Sequence, residues 1–292
     1  LDNDGSLVLE TLLANLFKKH NYGQQTTIGT VEHLKNPSLI EIRKYFNTYY
    51  VPNNMAVILS GDFNPDHAIA KIDKAFSYMK EKPVPEYTFA PEDAITSPVI
   101  KEVVGPDAES VTIAFRLPSN QDKDAALANL VGSILTNGKA GLIDLNLVKK
   151  QKLLKASAFS YLLVDHGLLY ISASPSQGQS LEDVKKLLLN EIENLKKGNF
   201  DDDLIPSIVN NIKKHKIQQT ESYGDRAYML MDAFTGKLNW RDQVAYVNDL
   251  SKVTKKDIMD FANKYFGNNY VAVLKHKGER TDIEKIEKPT IT

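Results

Sequence analysis

The chain carries six histidines, His20, His33, His67, His166, His215 and His276. Imidazole ligates metals and moves protons near neutral pH, so their spacing decides which chemistry is open. A helix-borne zinc site needs two histidines four residues apart beside a glutamate, as in H-x-x-E-H or H-E-x-x-H, because that spacing aims both rings at one ion. No two of the six are so spaced. The sequence therefore assigns no catalytic, cofactor-binding or metal-binding residue, and no cofactor is expected in this chain. Asp165-His166 could form part of a charge relay, with Ser157, Ser160 and Ser174 close in sequence. No G-x-S-x-G elbow accompanies them, and a hairpin turn explains the pair better.

Other motifs yield to plainer readings. "TNGKAG" at 136–141 lacks the G-x-x-x-x-G-K-[ST] of a phosphate loop and reads as a turn between helices. "IKKHK" and "LKKG" are short basic runs among acidic residues, the pattern of solvated helix faces and not of a nucleic-acid surface. Asp201, Asp202 and Asp203 suit a helix N-terminus, where the dipole favours negative charge, and lack the regular oxygen spacing of a calcium loop. Tyr223, Tyr228, Phe234 and Trp240 could line a peptide chamber, although core packing is the default for such aromatics.

The elements that would hold any such residues follow from composition and periodicity. The 292 residues fit about two domains, with 42% hydrophobic and 25% charged residues giving a globular composition. Lys+Arg 36 against Asp+Glu 37 leaves a net charge of -1, so no global field draws the protein to nucleic acid or acidic lipid. Zero cysteines exclude disulfides and thiolate chemistry and leave cytoplasm and cell envelope both open. No apolar run reaches the roughly 18 residues of a spanning helix. The start at Leu1, without an initiator Met or a basic and apolar leader, is that of a piece of a longer protein.

Leu9, Leu12, Leu13 and Leu16 mark one face of a helix over 5–18. A second helix follows Ser38, with Glu41 completing a capping-box pattern and Ile42, Tyr45, Phe46, Tyr49 and Tyr50 expected on its buried face. Pro52, Asn53 and Asn54 stop it, "MAVILS" at 55–60 reads as a buried strand, and a third helix over 65–79 packs back through Ile69, Ile72 and Phe76. Four prolines between residues 83 and 98 mark a boundary, giving expected domains at 1–87 and 94–292 with a linker at 88–93. Beyond it come strands "VIKEVV" and "VTIAFRL", helices over 122–135 and 142–152, strands "ASAFSYLL" and "LLYISAS", a mainly helical stretch from Ser180, and a closing strand "YVAVLKH". This order is α+β.

"YYVPNNMAVIL" at 49–59 is echoed by "YFGNNYVAVL" at 265–274, and Tyr265 stands 216 residues after Tyr49. At that offset Ser38/Thr254, Glu41/Asp257, Ile42/Ile258, Tyr45/Phe261, Tyr50/Phe266, Asn53/Asn269, Ala56/Ala272 and Val57/Val273 all pair in kind. Each pair has one job, as cap, apolar face, turn or strand, which is the signature of a duplicated domain.

"IGTVEHLKNPSLIEIRKYFNTYYVPNNMAVILSGDF" at 28–63 resembles the end of the first domain of the pitrilysin/insulinase zinc peptidases, the inverzincins. Residues 94–292 resemble the second, non-metal-binding domain of that family in length and element order. The resemblance implies repeated α+β sheet-plus-helices domains of the LuxS/processing-peptidase type. It also implies zinc in the parent protein and peptide substrates hydrolysed in an enclosed chamber, with the remaining peptidase domains or a partner subunit beside this chain. The H-x-x-E-H motif and third-ligand glutamate would lie upstream. Glu10 is nearest to the latter but one helical segment too late, and is read as a solvated helix position. The expectation is a bacterial-type non-catalytic fragment, inactive alone, with periplasm or cell envelope slightly favoured. A catalytically silent scaffold of the same family and an unrelated α+β binding module are the alternatives.

Overall fold

The structure, a computed structural model, describes residues 3–29, 31–35 and 37–280. Thr30 and Asn36, within the stretch that carries the resemblance, lie outside the described residues, as do 1–2 and 281–292. The helices are α1 (Asp4–Leu16), α2 (Asn21–Gln24), α3 (Val31–Lys35), α4 (Leu39–Tyr49), α5 (Pro65–Phe76), α6 (Ala125–Leu135), α7 (Leu181–Lys196), α8 (Leu204–Glu221), α9 (Tyr223–Thr235), α10 (Trp240–Leu250) and α11 (Lys255–Tyr265). The strands are β1 (Val99–Gly105), β2 (Ser110–Leu117), β3 (Lys155–Leu162), β4 (Gly167–Ser174) and β5 (Tyr270–Lys277). The described residues group into two compact units, one of those within 3–24, 91–210 and 246–280, the other of those within 25–90 and 211–245. The fold is α+β. The units interleave along the chain, because the stretch 1–87 supplies α1 and α2 to the first unit and its remainder to the second.

In the first unit the five strands form a sheet of order β1-β5-β2-β4-β3. β5 sits inside it, parallel to β1 on one edge and antiparallel to β2 on the other. α6, α7 and α11 pack against strands of this sheet. α1 packs on β5, β1 and β2, placing Val8, Leu12 and Leu16 on Ala114, Val271 and Val273. With both faces covered, β5 needs apolar residues without alternation, which explains "YVAVL". The turn at Asp165-His166-Gly167 closes the β3–β4 hairpin as its sequence suggests, with the Leu163 amide donating to the His166 carbonyl at 2.9 Å. α11 starts on a full capping box in which Thr254 and Asp257 each accept the other's backbone N–H.

α1 is anchored by charge as well as by apolar contact. Lys275, on the α1 side of β5, lies 2.5 Å from Asp4 Oδ2 with both side chains almost fully buried. Asp4 Oδ2 also accepts the Asp107 amide at 2.8 Å, and the Lys275 ammonium donates to the Asp107 and Ala108 carbonyls. Gly105 makes room for the carboxylate, since a Cβ there would come within 2.1 Å of Asp4 Oδ1. Burial pushes the Asp4 carboxyl up, but the Lys275 and Asp107 hydrogen bonds outweigh it and hold the group below its ordinary 3.8. Its contribution is therefore complete above 3.8 and is lost as pH falls through the lower folded value.

Several expectations are corrected. "MAVILS" is extended but pairs with no strand among the described residues, and most of it is exposed. α4 and α5 have no buried residue, so Ile42, Tyr45, Phe46 and Tyr50, like Ile69 and Phe76, lie open to solvent. The helix expected over 142–152 is shorter, ending at Val148, and is π-helical over Asp144–Val148, and the helix expected from 122 begins at Ala125. No described helix is long and apolar enough to cross a membrane.

Replacing Lys275 with alanine leaves a buried carboxylate without its counter-charge, and is expected to lower unfolding free energy by about 3–5 kcal/mol in denaturant titration. Gly105→Ala should also destabilise, by displacing the same carboxylate. A loss below about 1 kcal/mol for Lys275→Ala, the scale of an exposed pair, would contradict an anchoring role.

Candidate functional site

The residues singled out for chemistry are scattered. His67 lies on α5, its amide capped by Asn64, and His215 lies on α8. His33 lies on α3, and His276 on β5 faces Glu102 and Glu109 at 3.5 and 3.8 Å. Glu10 is exposed on α1. The hairpin register puts Ser174 and Ser157 toward the end of β3–β4 away from the 165–167 turn, and the Ser160 hydroxyl donates to the Ala128 carbonyl. Ser174 pairs with Lys155 seven residues from the turn, about 23 Å along the strand, so no charge relay assembles.

The "TNGKAG" loop is filled from within. Asp144 accepts the amides of Asn137 and Gly141 at 2.8 and 3.2 Å, and Asn137 Oδ1 accepts those of Lys139 and Ala140. Gly138 takes φ +75°, left-handed backbone that suits glycine. The loop's inward amides thus hold the protein's own carboxylate where a phosphate would have to sit. Asp201 accepts the Asp203 amide just before α8, and Asp202 pairs with Lys255 of α11 at 2.6 Å.

His20 and His166 come together with Asp165, and this is the only place where sequence-distant histidines meet among the described residues. Their geometry does not suit a metal. His20 Nδ1 accepts the Tyr22 amide at 3.1 Å and its Nε2 lies 3.3 Å from Asp165 Oδ2, so both ring nitrogens have protein partners. Among the described residues no group of three or more His, Asp or Glu side chains is arranged to hold an ion. The residues present do not fit a zinc centre.

What the structure does present is apolar surface in the second unit. Ile42 and Tyr45 are 54% and 61% exposed, whereas their counterparts Ile258 and Phe261 are 0% and 3%. Met55 and Val57 are 40% and 50% exposed, whereas Val271 and Val273 are both 0%. Met55 and Val57 with Ile69, Ile72 and Phe76 line a cleft of about 520 Å³ between the extended 55–60 segment and α5. The Asn53 side chain pairs with both backbone groups of Lys82 at 2.9 and 3.2 Å and so ties the segment's entry to the chain beyond α5. Tyr223, Tyr228, Phe234 and Trp240 are also exposed, against the expectation of core packing. Large apolar side chains left open in this number are the kind of surface that interaction sites present. The signal was in the sequence as amphipathic helices and an apolar run, but periodicity does not say whether the covering element is present.

The family model described as peptidase M16 inactive domain matches residues 38–212. The zinc protease PqqE of Helicobacter pylori is 26% identical over 247 residues, 82% of this chain and 55% of that relative. The crystal structure of a protease from Helicobacter pylori superposes with a TM-score of 0.82 at 24% identity, covering 90% of this chain and 66% of that one. The periplasmic protease PqqL of Escherichia coli superposes with a TM-score of 0.73 at 16% identity, covering 94% of this chain and 32% of that one. The chain thus spans about half the length of the curated relative it matches.

Truncating matched residues should reveal the asymmetry. Ile258→Ala is expected to cost about 2–5 kcal/mol of stability and Ile42→Ala no more than about 0.5 kcal/mol, both read from chemical denaturation. Equal costs would mean that the first apolar face is already covered.

Proposed function

Since this chain belongs to the peptidase M16 family through its inactive domain, we propose that it is the non-catalytic part of a longer, bacterial-type zinc metalloendopeptidase. In this reading residues 1–87 close a first, metal-binding copy of the fold, 88–93 join the copies, and 94–292 are the second, structural copy. The observation that carries it is the contrast between matched residues, buried around β5 and exposed around 55–60. An apolar face built for a sheet and left open is what the end of a domain presents when its remaining strands lie elsewhere in the protein. The parent's zinc would be held by residues outside this chain. The exposed aromatics on α9 and at Trp240 would add apolar wall to an enclosed peptide chamber, where peptides are the substrate and further peptidase domains or a partner subunit are the neighbours. A periplasmic or cell-envelope setting is supported by the periplasmic Escherichia coli protease of like fold.

The test compares the 292-residue chain with the longer parent. The chain alone should purify without stoichiometric zinc and leave peptides uncut, while the parent should carry zinc and lose peptide cleavage to chelators. Chelator-sensitive cleavage by the chain alone would contradict the proposal. A parent with neither zinc nor cleavage would contradict its peptidase part and identify a silent scaffold of the same family.

A further inference from the structure

The segment that leaves α1, residues 17–22, is held to the first unit by a compact polar and aromatic cluster that the family reading does not use. Glu92 accepts the amides of Lys18, Lys19 and His20 at 3.0, 2.6 and 2.9 Å. Arg116, on β2, lies 3.8 Å from Glu92, donates to the carbonyls of Asp93 and Leu16, and sits over the Phe17 ring. At the β3–β4 turn, Asp165 Oδ2 faces His20 Nε2 at 3.3 Å and the Tyr22 hydroxyl at 3.4 Å. The His166 ring stacks on Phe17 with centroids 5.3 Å apart and planes at 19°, and meets His20 edge-on at 5.1 Å.

We propose that His166 is a proton-sensitive latch: neutral, it seats the 17–22 segment on the β3–β4 turn, and its protonation on mild acidification loosens that segment from the sheet. The groups facing it are His20 and Tyr22 from the segment, Arg116 from β2, Glu92 from the strap before β1 and Asp165 from its own turn. A proton on His166 adds positive charge beside Arg116 and against the His20 ring. Both nearby carboxylates are already engaged, Glu92 with three amides and Asp165 with His20 and Tyr22. His20 cannot relieve the strain by taking a second proton without losing Nδ1 as acceptor for the Tyr22 amide.

Burial pushes the His166 imidazole below its ordinary 6.5, with His20 and Arg116 adding to the effect and Glu92 and Asp165 opposing it. The sign follows. The released or unfolded chain binds the proton more readily than the latched one, so latching is complete above 6.5 and weakens as pH falls through the lower folded value. The Glu92 bonds to the amides of Lys18, Lys19 and His20 and the Lys275–Asp4 pair do not involve the His166 ring, and the Asp4 carboxyl is held below its ordinary 3.8, so these tethers of α1 outlast the change.

Hydrogen exchange on the full 292-residue chain, corrected for intrinsic rates, tests the latch at about pH 7.5 and about pH 5.5. Protection of peptides covering 17–24 should fall several-fold at the lower pH, up to the limit of about tenfold for one titrating imidazole, while β2 and β4 keep theirs. His166→Phe keeps a ring on Phe17 without a titrating group and should hold protection at both values. His166→Gln, which removes titration with a polar side chain, should likewise lose the pH dependence even if its protection starts lower. Unchanged protection in the natural sequence, or the same acid loss in both variants, would overturn the proposal.

Discussion

A strand buried inside a sheet must have its backbone groups bonded along both edges and its side chains covered on both faces, and β5 is the strand on which this protein meets that demand. Its edges are taken by β1 and β2 and it is apolar from Tyr270 to Leu274. α11 delivers the chain to it and α1 lies on its other face, fixed by Lys275 and Asp4. The only charged residue buried in β5 is thus the one that binds α1, which fixes where that helix sits along the strand. An apolar contact alone would let the helix slide; a lysine with three oxygen partners does not.

The stretch 38–60 was written in the same terms, with a serine cap, an amphipathic helix, an asparagine turn and an apolar run, yet it ends in a segment that pairs with no strand among the described residues. The reason is that a strand is a property of a pair and not of a sequence. Helices α4 and α5 form because their hydrogen bonds are internal; Ser38 caps the first as the sequence indicates, and Asn64 caps the second. "MAVILS" has no such internal solution and stays open. The echo between the two stretches, and the reading of 1–87 as the end of a first copy, came from residue types; that 55–60 would pair with no strand among the described residues did not, since nothing in a local window reports what lies across a sheet.

The same distinction separates the other outcomes. The β3–β4 turn, the α11 capping box and the turn nature of "TNGKAG" depend on neighbours within a few residues and could be read directly. The destination of α1 and the cluster around His166 could not, because Asp4 meets a residue 271 positions away and His20 meets one 145 positions away. Asp165-His166 drew attention as a possible catalytic pair, but the turn carries it toward Phe17 and His20 and away from the serines. Exposed aromatics such as Tyr223 and Trp240 were misread for the reason α4 was: large apolar residues imply a cover, and the sequence does not say which molecule supplies it.

The most direct measurement of the central claim is hydrogen exchange at Met55–Ser60 in this chain and in the longer natural protein. If the segment awaits the strands of a first copy, its amides should exchange at least about a hundredfold more slowly in the longer protein than in the shorter one. Equal, rapid exchange in both would mean that 55–60 is a surface connector and that the first copy never completes a sheet around it.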